Sequence, residues 1–267
     1  MNRERTLVMG ILNVTPDSFA DGGRHFDFAS AINRAKEMIA EGVDIIDVGG
    51  ESTRPGADRI TEEVERDRVI PVITELAELG ITISVDTTRS NIAQAAIGAG
   101  AIIVNDVSGG LADLKMASVI ANNPAVQYVV MHWRGHSKNM QEAAQYKSVV
   151  TEVKDELDGR VIALTQSGVA PEQIVLDPGI GFAKSTEHNW EILKNIERLQ
   201  LLGFPLLVGV SRKRFLGDLL GAHLADDREF ASIALTTYLA EAGVWGVRTH
   251  SVKPHRDAIA VVEEMQK

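Results

Sequence analysis

The chain has 267 residues, 45% hydrophobic and 24% charged, a length at which one large domain can bury most of its apolar surface. Acidic residues outnumber basic ones 37 to 27 for a formal net charge of -10, which opposes association with phosphodiester backbones, and no Lys/Arg run marks a nucleic-acid patch. Cysteine is absent, excluding disulfides, thiolate metal sites and a cysteine nucleophile, and no stretch reaches the roughly 18 uninterrupted apolar residues of a membrane helix, so a cytoplasmic protein is expected.

Short runs rich in Val and Ile, too short for helices and not alternating, predict strands buried on both faces of a parallel sheet. In chain order they are Leu7–Leu12, Asp44–Val48, Ile81–Val85, Ala101–Val104, Val126–Met131, Gln173–Leu176, Pro205–Val210 and Val244–Val247. Between the first two, Ala31, Ala35, Met38 and Ile39 recur at helical spacing, while Arg34, Lys36, Glu37 and Glu41 fall elsewhere around the cylinder, and Gly42 ends the helix. Glu62–Leu79 has the same character with Gly80 as its stop, and Asn91–Ala99 ends at Gly100. The tract Arg134–Gly168 is polar and longer than the usual unit, which predicts a long loop before its helix. Eight units over about 250 residues is the rhythm of a closed (β/α)8 barrel, a TIM barrel of the α/β class. A single domain over 1–267 is expected, with long loops after strands one and two. The alternative is an open doubly wound sheet, but no Gly-rich dinucleotide fingerprint follows the first strand.

The residues ending the apolar runs are polar nearly every time. They are Asn13; Asp47, followed by Gly49 and Gly50; Asp86; Asn105 and Asp106; His132; Asp177; Ser211, Arg212 and Lys213; and Arg248 and His250. Any one of them has an ordinary use in a cap or turn. Gathered in one axial mouth, so many carboxylates, amides and cations are costly without a ligand. Asp86, Asn105 and Asp177 offer acceptors and an amide donor to a flat heterocycle with amino and imino hydrogens. Arg54, Lys213, Arg248 and His250 supply the local positive charge that a phosphate or diphosphate needs. The loops Val14–Arg24 and Gly49–Ile60, rich in Gly, Pro and small polar residues, read as lids at the catalytic face, with Phe19 and Arg54 as side chains in search of a partner.

The stretches MGILNVTPDSF (Met9–Phe19), DVGGESTRPG (Asp47–Gly56), SVDT (Ser84–Thr87), VNDVSGG (Val104–Gly110), LDPGIGF (Leu176–Phe182), SRK (Ser211–Lys213) and VRTH (Val247–His250) run through the chain end to end. In this order they resemble the dihydropteroate synthase family, the folate-pathway enzymes inhibited by sulfonamides. The resemblance implies a pterin-binding barrel that joins 6-hydroxymethyl-7,8-dihydropterin diphosphate to p-aminobenzoate. It implies that Asp86, Asn105, Met131, Asp177 and Lys213 hold the pterin. The diphosphate would lie on Asn13, Thr53, Arg54, Arg248 and His250, with Mg²⁺ as cofactor contacted by Asn13. Phe19, Pro55, Phe182 and Lys213 would surround p-aminobenzoate. Asp86, Asp177, Lys213 and Arg54 carry the catalytic expectation, and a homodimer is implied, formed through outer helices late in the chain.

Three positions depart from the family's usual pattern. Ala20 stands where a Ser is common, Arg214 where a Ser is frequent after the Lys, and Ser251 where an Asp usually follows the His. If that Asp orients the imidazole, His250 would lack its orienter. Two other readings keep the barrel: a pterin-binding paralogue without synthase activity, and a pterin-binding barrel of the methyltransferase type. The latter would need no diphosphate cradle, so Arg54, Arg248 and His250 discriminate against it.

Overall fold

The computed structural model describes residues 5–15, 28–51, 59–135 and 140–267, and all eight expected strands are present. They are β1 (Leu7–Asn13), β2 (Ile45–Gly49), β3 (Thr82–Asp86), β4 (Ile103–Asp106), β5 (Gln127–Met131), β6 (Ile174–Asp177), β7 (Leu207–Val208) and β8 (Gly246–Thr249). Every ladder is parallel, in the order β6-β5-β4-β3-β2-β1-β8-β7. A bridge between Leu176 and Leu206 joins β6 to the start of β7 and closes the barrel. The expectation of a six-residue seventh strand was too long. Pro205 has no N–H for a ladder, and pairing with β8 is confined to Leu207 and Val208. The second strand starts at Ile45, one residue later than expected, and the Asp44 carboxylate before it takes the Val8 N–H at 2.8 Å and the Arg5 guanidinium at 2.7 Å.

Helices follow the strands as the apolar spacing predicts: α1 (Phe28–Ala40), α2 (Glu62–Glu78), α3 (Ser90–Gly98), α4 (Met116–Ala121) and α5 (Val149–Gln166). After them come α6 (Thr186–Lys194), α7 (Ile196–Gln200), α8 (Arg214–Leu220), α9 (Glu229–Ala242) and α10 (Lys253–Met265). α1 buries Ala31, Ile32, Ala35 and Met38, one stripe of a 3.6-residue repeat. Among the described residues of the tract after β5 no α-helix begins before α5 at Val149, in keeping with its polarity. Among the described residues no helix is long and apolar enough to cross a membrane.

Two apolar layers follow from the two-residue alternation of the strands. Val8, Leu12, Ile46, Val48, Ile83, Val85, Val104, Val130, Leu176, Val208 and Val247 face outward and pack under the helices. Met9, Ile45, Ile103, Val129, Val175 and Leu207 face inward and plug the barrel. Two residues further along most strands the same inward parity reaches Asp47, Asn105, Met131, Asp177 and Gly209. The floor is therefore hydrocarbon and the storey above it polar.

Candidate active site

The polar storey is built around Arg248 of β8. Its Nε donates to Asp47 Oδ2 at 2.6 Å and its Nη2 to Asp86 Oδ2 at 2.8 Å, while Asn105 Nδ2 donates to Asp47 Oδ2 at 2.9 Å. Asp47, Asp86 and Asn105 are buried. Burial pushes the Asp86 carboxyl up to about 7, against the pull of Arg248 and with the neighbouring charge of Asp47 adding to the rise. Arg248 is held above its ordinary value, because Asp47 and Asp86 outweigh the cost of its burial. Two atoms of this storey, Asp47 Oδ1 and Ser84 Oγ, are sealed without a hydrogen-bond partner.

On the opposite wall, Asp177 accepts from Gly179 N–H at 2.7 Å through Oδ1. Its pKa is raised by burial and drawn back by Lys213. Lys213 donates to the carbonyl of Ile180, and its Nζ stands 4.9 Å from the centroid of the half-buried Phe182 ring. Burial brings the Lys213 ammonium down to about 8, with Asp177 opposing the fall. Two backbone features make room for it. A Cβ on Gly181 would meet Lys213 Cδ at 3.1 Å, and one on Gly209 would lie 3.6 Å from Lys213 Nζ. Arg212, before it, holds a left-handed φ of 58°, a costly conformation for a side-chain residue that aims Lys213 inward while Arg212 itself pairs with Glu229 at 2.7 Å. Among the described residues, hydrogen bonds engage Asp86 through Oδ2, Asn105 through Nδ2 and Asp177 through Oδ1, leaving an oxygen on each to accept from a ligand.

At the rim, Asn13 Oδ1 and Asp86 Oδ2 flank one gap: a Cβ on Gly49 would lie 3.6 and 3.7 Å from them. His250 is oriented by Ser211, whose hydroxyl lies 2.9 Å from Nδ1 and also accepts the His250 N–H at 3.2 Å. The concern that Ser251 leaves this imidazole without an orienter is therefore corrected. Ser251 turns away to Glu229, and Ser211, past the end of the neighbouring strand β7, does the orienting. Arg214 points outward with its side chain 91% exposed, so that departure does not enter the mouth.

Met131 is buried beside the glycine turn after β6, with its Cγ 3.4 Å from where a Cβ of Gly179 would stand. Thr53, Arg54 and Pro55 of the second loop, and Phe19 and Ala20 of the first, lie outside the described residues. Not every polar strand end turns into the mouth. Asp106 faces outward and caps the following loop through Ser108 N–H, Gly110 N–H and the Tyr128 hydroxyl, each at 2.8 Å. His132 is likewise turned outward, onto Glu156 at 2.9 Å.

Sequence reasoning named Asp47 without a role and missed Ser84, Glu65 and Arg89. For Asp47 and Ser84 the signal was present, since both sit two residues before an end residue of inward parity. Glu65 and Arg89 sit on helical or loop segments where no period points to the mouth. A cleft of about 650 Å³ opens at the amino ends of the strands, between Arg5, Gln200, Phe204 and Trp245. Arg5 in its wall is committed to Asp44, so the chemistry belongs to the other end.

The chain matches the pterin binding enzyme family over residues 9–250. It is 49% identical over 261 residues to a dihydropteroate synthase of Mycobacterium leprae, covering 96% of this chain and 92% of that one. It is 44% identical to the dihydropteroate synthase of Synechocystis, over 94% and 86% of the two chains. The fold is similar to a Xanthomonas albilineans dihydropteroate synthase solved with 4-aminobenzoic acid, at a TM-score of 0.92 and 39% identity over 100% and 95% of the chains. It is also similar to a Yersinia pestis dihydropteroate synthase in complex with a sulfonamide drug, at a TM-score of 0.93 and 36% identity over 100% and 96%. With this barrel, these strand-end residues and these relatives, the chain belongs to the dihydropteroate synthase family of pterin-binding enzymes.

Proposed function

We propose that the chain condenses 6-hydroxymethyl-7,8-dihydropterin diphosphate with p-aminobenzoate to give 7,8-dihydropteroate and diphosphate. The observation that carries the reading is the convergence of Asp86, Asn105, Asp177 and Lys213 on one buried mouth, with acceptor oxygens left over on three of them. A pterin edge presents amino and ring N–H donors, which those oxygens accept, while Lys213 meets the acceptor side and Met131 covers a face. Diphosphate is a poor ligand for so acidic a protein unless cations are gathered locally. Arg248, anchored by its two carboxylates, and Arg54 supply them, with His250, oriented by Ser211, and Asn13 and Thr53 completing the cradle.

In the reaction the C–O bond to diphosphate breaks first, leaving positive charge on the exocyclic methylene and the ring. Asp86 and Asp177 stabilise that charge as it develops. The uncharged amine of p-aminobenzoate, beside Phe19, Pro55, Phe182 and Lys213, then attacks the methylene carbon to form the C–N bond and gives up a proton to solvent. Among the described residues no cluster of three His, Asp or Glu side chains is arranged to hold a metal. Asn13 at the rim, a single neutral oxygen donor, suits Mg²⁺ arriving with the diphosphate, since that ion keeps several waters and takes most of its remaining ligands from phosphate. When bound it would neutralise charge on the leaving group.

A cytoplasmic homodimer completes the reading. Leu219, Leu220, Leu224 and Phe230, on α8, α9 and the segment between them, expose apolar side chains, Phe230 to 85%, and a second copy would cover them.

The test is diphosphate release by the purified protein with Mg²⁺ and the dihydropterin diphosphate, with and without p-aminobenzoate. Release that requires p-aminobenzoate and yields dihydropteroate is expected, with Asp177→Ala and Lys213→Ala each abolishing pterin binding. Unchanged affinity in both variants would remove these residues from the site.

A further inference from the structure

Lys184 lies two residues beyond Phe182 and is 3% exposed, a position where a lysine must be given a purpose. Its Nζ has three neighbours at hydrogen-bond distance: the carbonyl of Gly179 at 3.0 Å, the carbonyl of Phe182 at 3.0 Å and Nδ1 of His132 at 3.1 Å. An ammonium has three N–H donors and no acceptor, so this cage matches its valence. The His132 tautomer follows from the same count. Nδ1 accepts from Lys184, so Nε2 carries the proton and donates it to Glu156 at 2.9 Å. His132, 2% exposed, is accordingly held neutral, its pKa brought down to about 4 by burial and by the charge of Lys184.

The caged turn receives Lys213 on its other side: Ile180 O accepts from Lys213, Gly181 lies against its methylenes, and Phe182 presents its ring. The turn takes left-handed backbone at Gly179 and Gly181, which glycine adopts freely, and ends in strain at Ala183, with a φ of 48°. A second clamp reaches it from the same loop as His132. The Tyr146 hydroxyl donates to Ala183 O at 2.9 Å, and the Tyr146 ring lies 3.9 Å under the Arg134 guanidinium.

We propose that Lys184 is a positioning residue for the p-aminobenzoate subsite: clamped by His132 from the loop after β5, it fixes the Gly179–Phe182 turn and so sets the Phe182 ring against Lys213. This rests on the reading of Phe182 as a wall of that subsite. The pterin contacts Asp86 and Asn105 sit on strands away from the turn, while Asp177 and Lys213 each share one bond with it, Asp177 from Gly179 N–H at 2.7 Å and Lys213 to the Ile180 carbonyl.

Lys184→Met keeps the stem and removes the donors. Its KM for p-aminobenzoate should rise about tenfold or more, since small misplacements of a binding group cost that much, while the pterin dissociation constant rises by a smaller factor. His132→Leu, which leaves a Lys184 donor unpaired, should raise the same KM. His132→Asn, whose side-chain oxygen can take the place of Nδ1, should restore it. A merely structural role would lower the melting temperature of both His132 variants without separating their KM values. The proposal is overturned if folded Lys184→Met keeps its KM for p-aminobenzoate. Should that variant fail to fold, equal KM values for the two His132 variants overturn it. Phe182→Ala separates this failure from failure of the subsite itself. If that variant also leaves the KM unmoved the subsite reading falls, and if it alone raises the KM only the role of Lys184 falls.

Discussion

Asp86 meets Arg248 at 2.8 Å, yet burial still carries its carboxyl up to about 7, far from the ordinary 3.8. A carboxyl raised in this way stabilises the fold in its protonated form, fully below about 4, and loses that contribution as pH rises through about 7. Binding asks for the opposite form, since only the carboxylate accepts from two pterin N–H groups without offering a proton of its own. Pterin affinity should therefore weaken as pH falls below about 7, by up to roughly tenfold per unit. Calorimetric titration with the pterin from pH 8 to 5.5 measures this, and a flat profile would mean that Arg248 keeps Asp86 ionised throughout. The sequence made Asp86 and Arg248 legible as strand-end residues of opposite charge. That one guanidinium bridges Asp47 and Asp86 was not legible, because Arg248 lies 201 positions from Asp47 and they meet only when the barrel closes.

At the scale of elements, the second loop is tied down at both stems by one side chain. Arg89, at the N-cap of α3, donates to Glu51 at 2.6 Å and to the carbonyl of Ile60 at 2.6 Å, and it pairs with the buried Glu65 of α2. Thr87 closes the network onto Glu65 at 2.6 Å. Glu51 and Ile60 flank the segment that holds Thr53, Arg54 and Pro55, so Arg89 sets the span that this segment must cross. Arg89→Ala should cut turnover about tenfold and raise the KM for the dihydropterin diphosphate, while leaving affinity for the diphosphate-free pterin within about twofold. Steady-state kinetics beside pterin titration checks it; equal losses for both ligands with a collapsed melting temperature would make Arg89 a fold residue. The helices and strands themselves were legible, because their periods are local. β7 was overcalled because an apolar run reports burial, whereas a ladder also needs N–H groups in register, and Pro205 has none.

Across the whole molecule the buried carboxylates divide into two sets with opposite pH behaviour. Asp86, Asp106, Asp177 and Glu65 are raised, chiefly by burial, so each favours the fold increasingly as pH falls toward the ordinary carboxylate range, Asp86 from about 7. Glu156 and Glu229 are held at about 2: burial works to raise them, but hydrogen bonds from His132 and Arg134, and from His255, Ser251 and Arg212, win. Their contribution is present above the ordinary 4.5 and is lost as pH falls through about 2. Together these two sets favour the fold most between about pH 4 and 5, where they cross, rather than at 7. Glu229→Gln should cost about 1–3 kcal/mol at neutral pH, since it weakens bonds to three partners on different elements, and should flatten the acid limb. Melting temperatures of both proteins from pH 8 to 2.5 test this, and parallel curves would mean that Glu229 does not carry the acid limb.

The sequence by itself determined the repeat of strand and helix, the barrel, the family and the set of polar residues from which the mouth is made, since these depend on periods of 2 and 3.6 residues and on short contiguous motifs. Tertiary structure decided which of those residues turn inward. Asp47 and Asn105 do, while Asp106, one position further along β4, turns outward to cap a loop, and His132, just past the end of β5, turns outward onto Glu156. It also decided partners. Ser211 rather than a neighbour in sequence orients His250, and Lys184, with no motif to mark it, is caged by His132 from 52 positions away. The physical reason is the same in each case: a hydrogen bond is set by distances of a few ångströms, and strand register and barrel closure, not chain proximity, determine which atoms come that close.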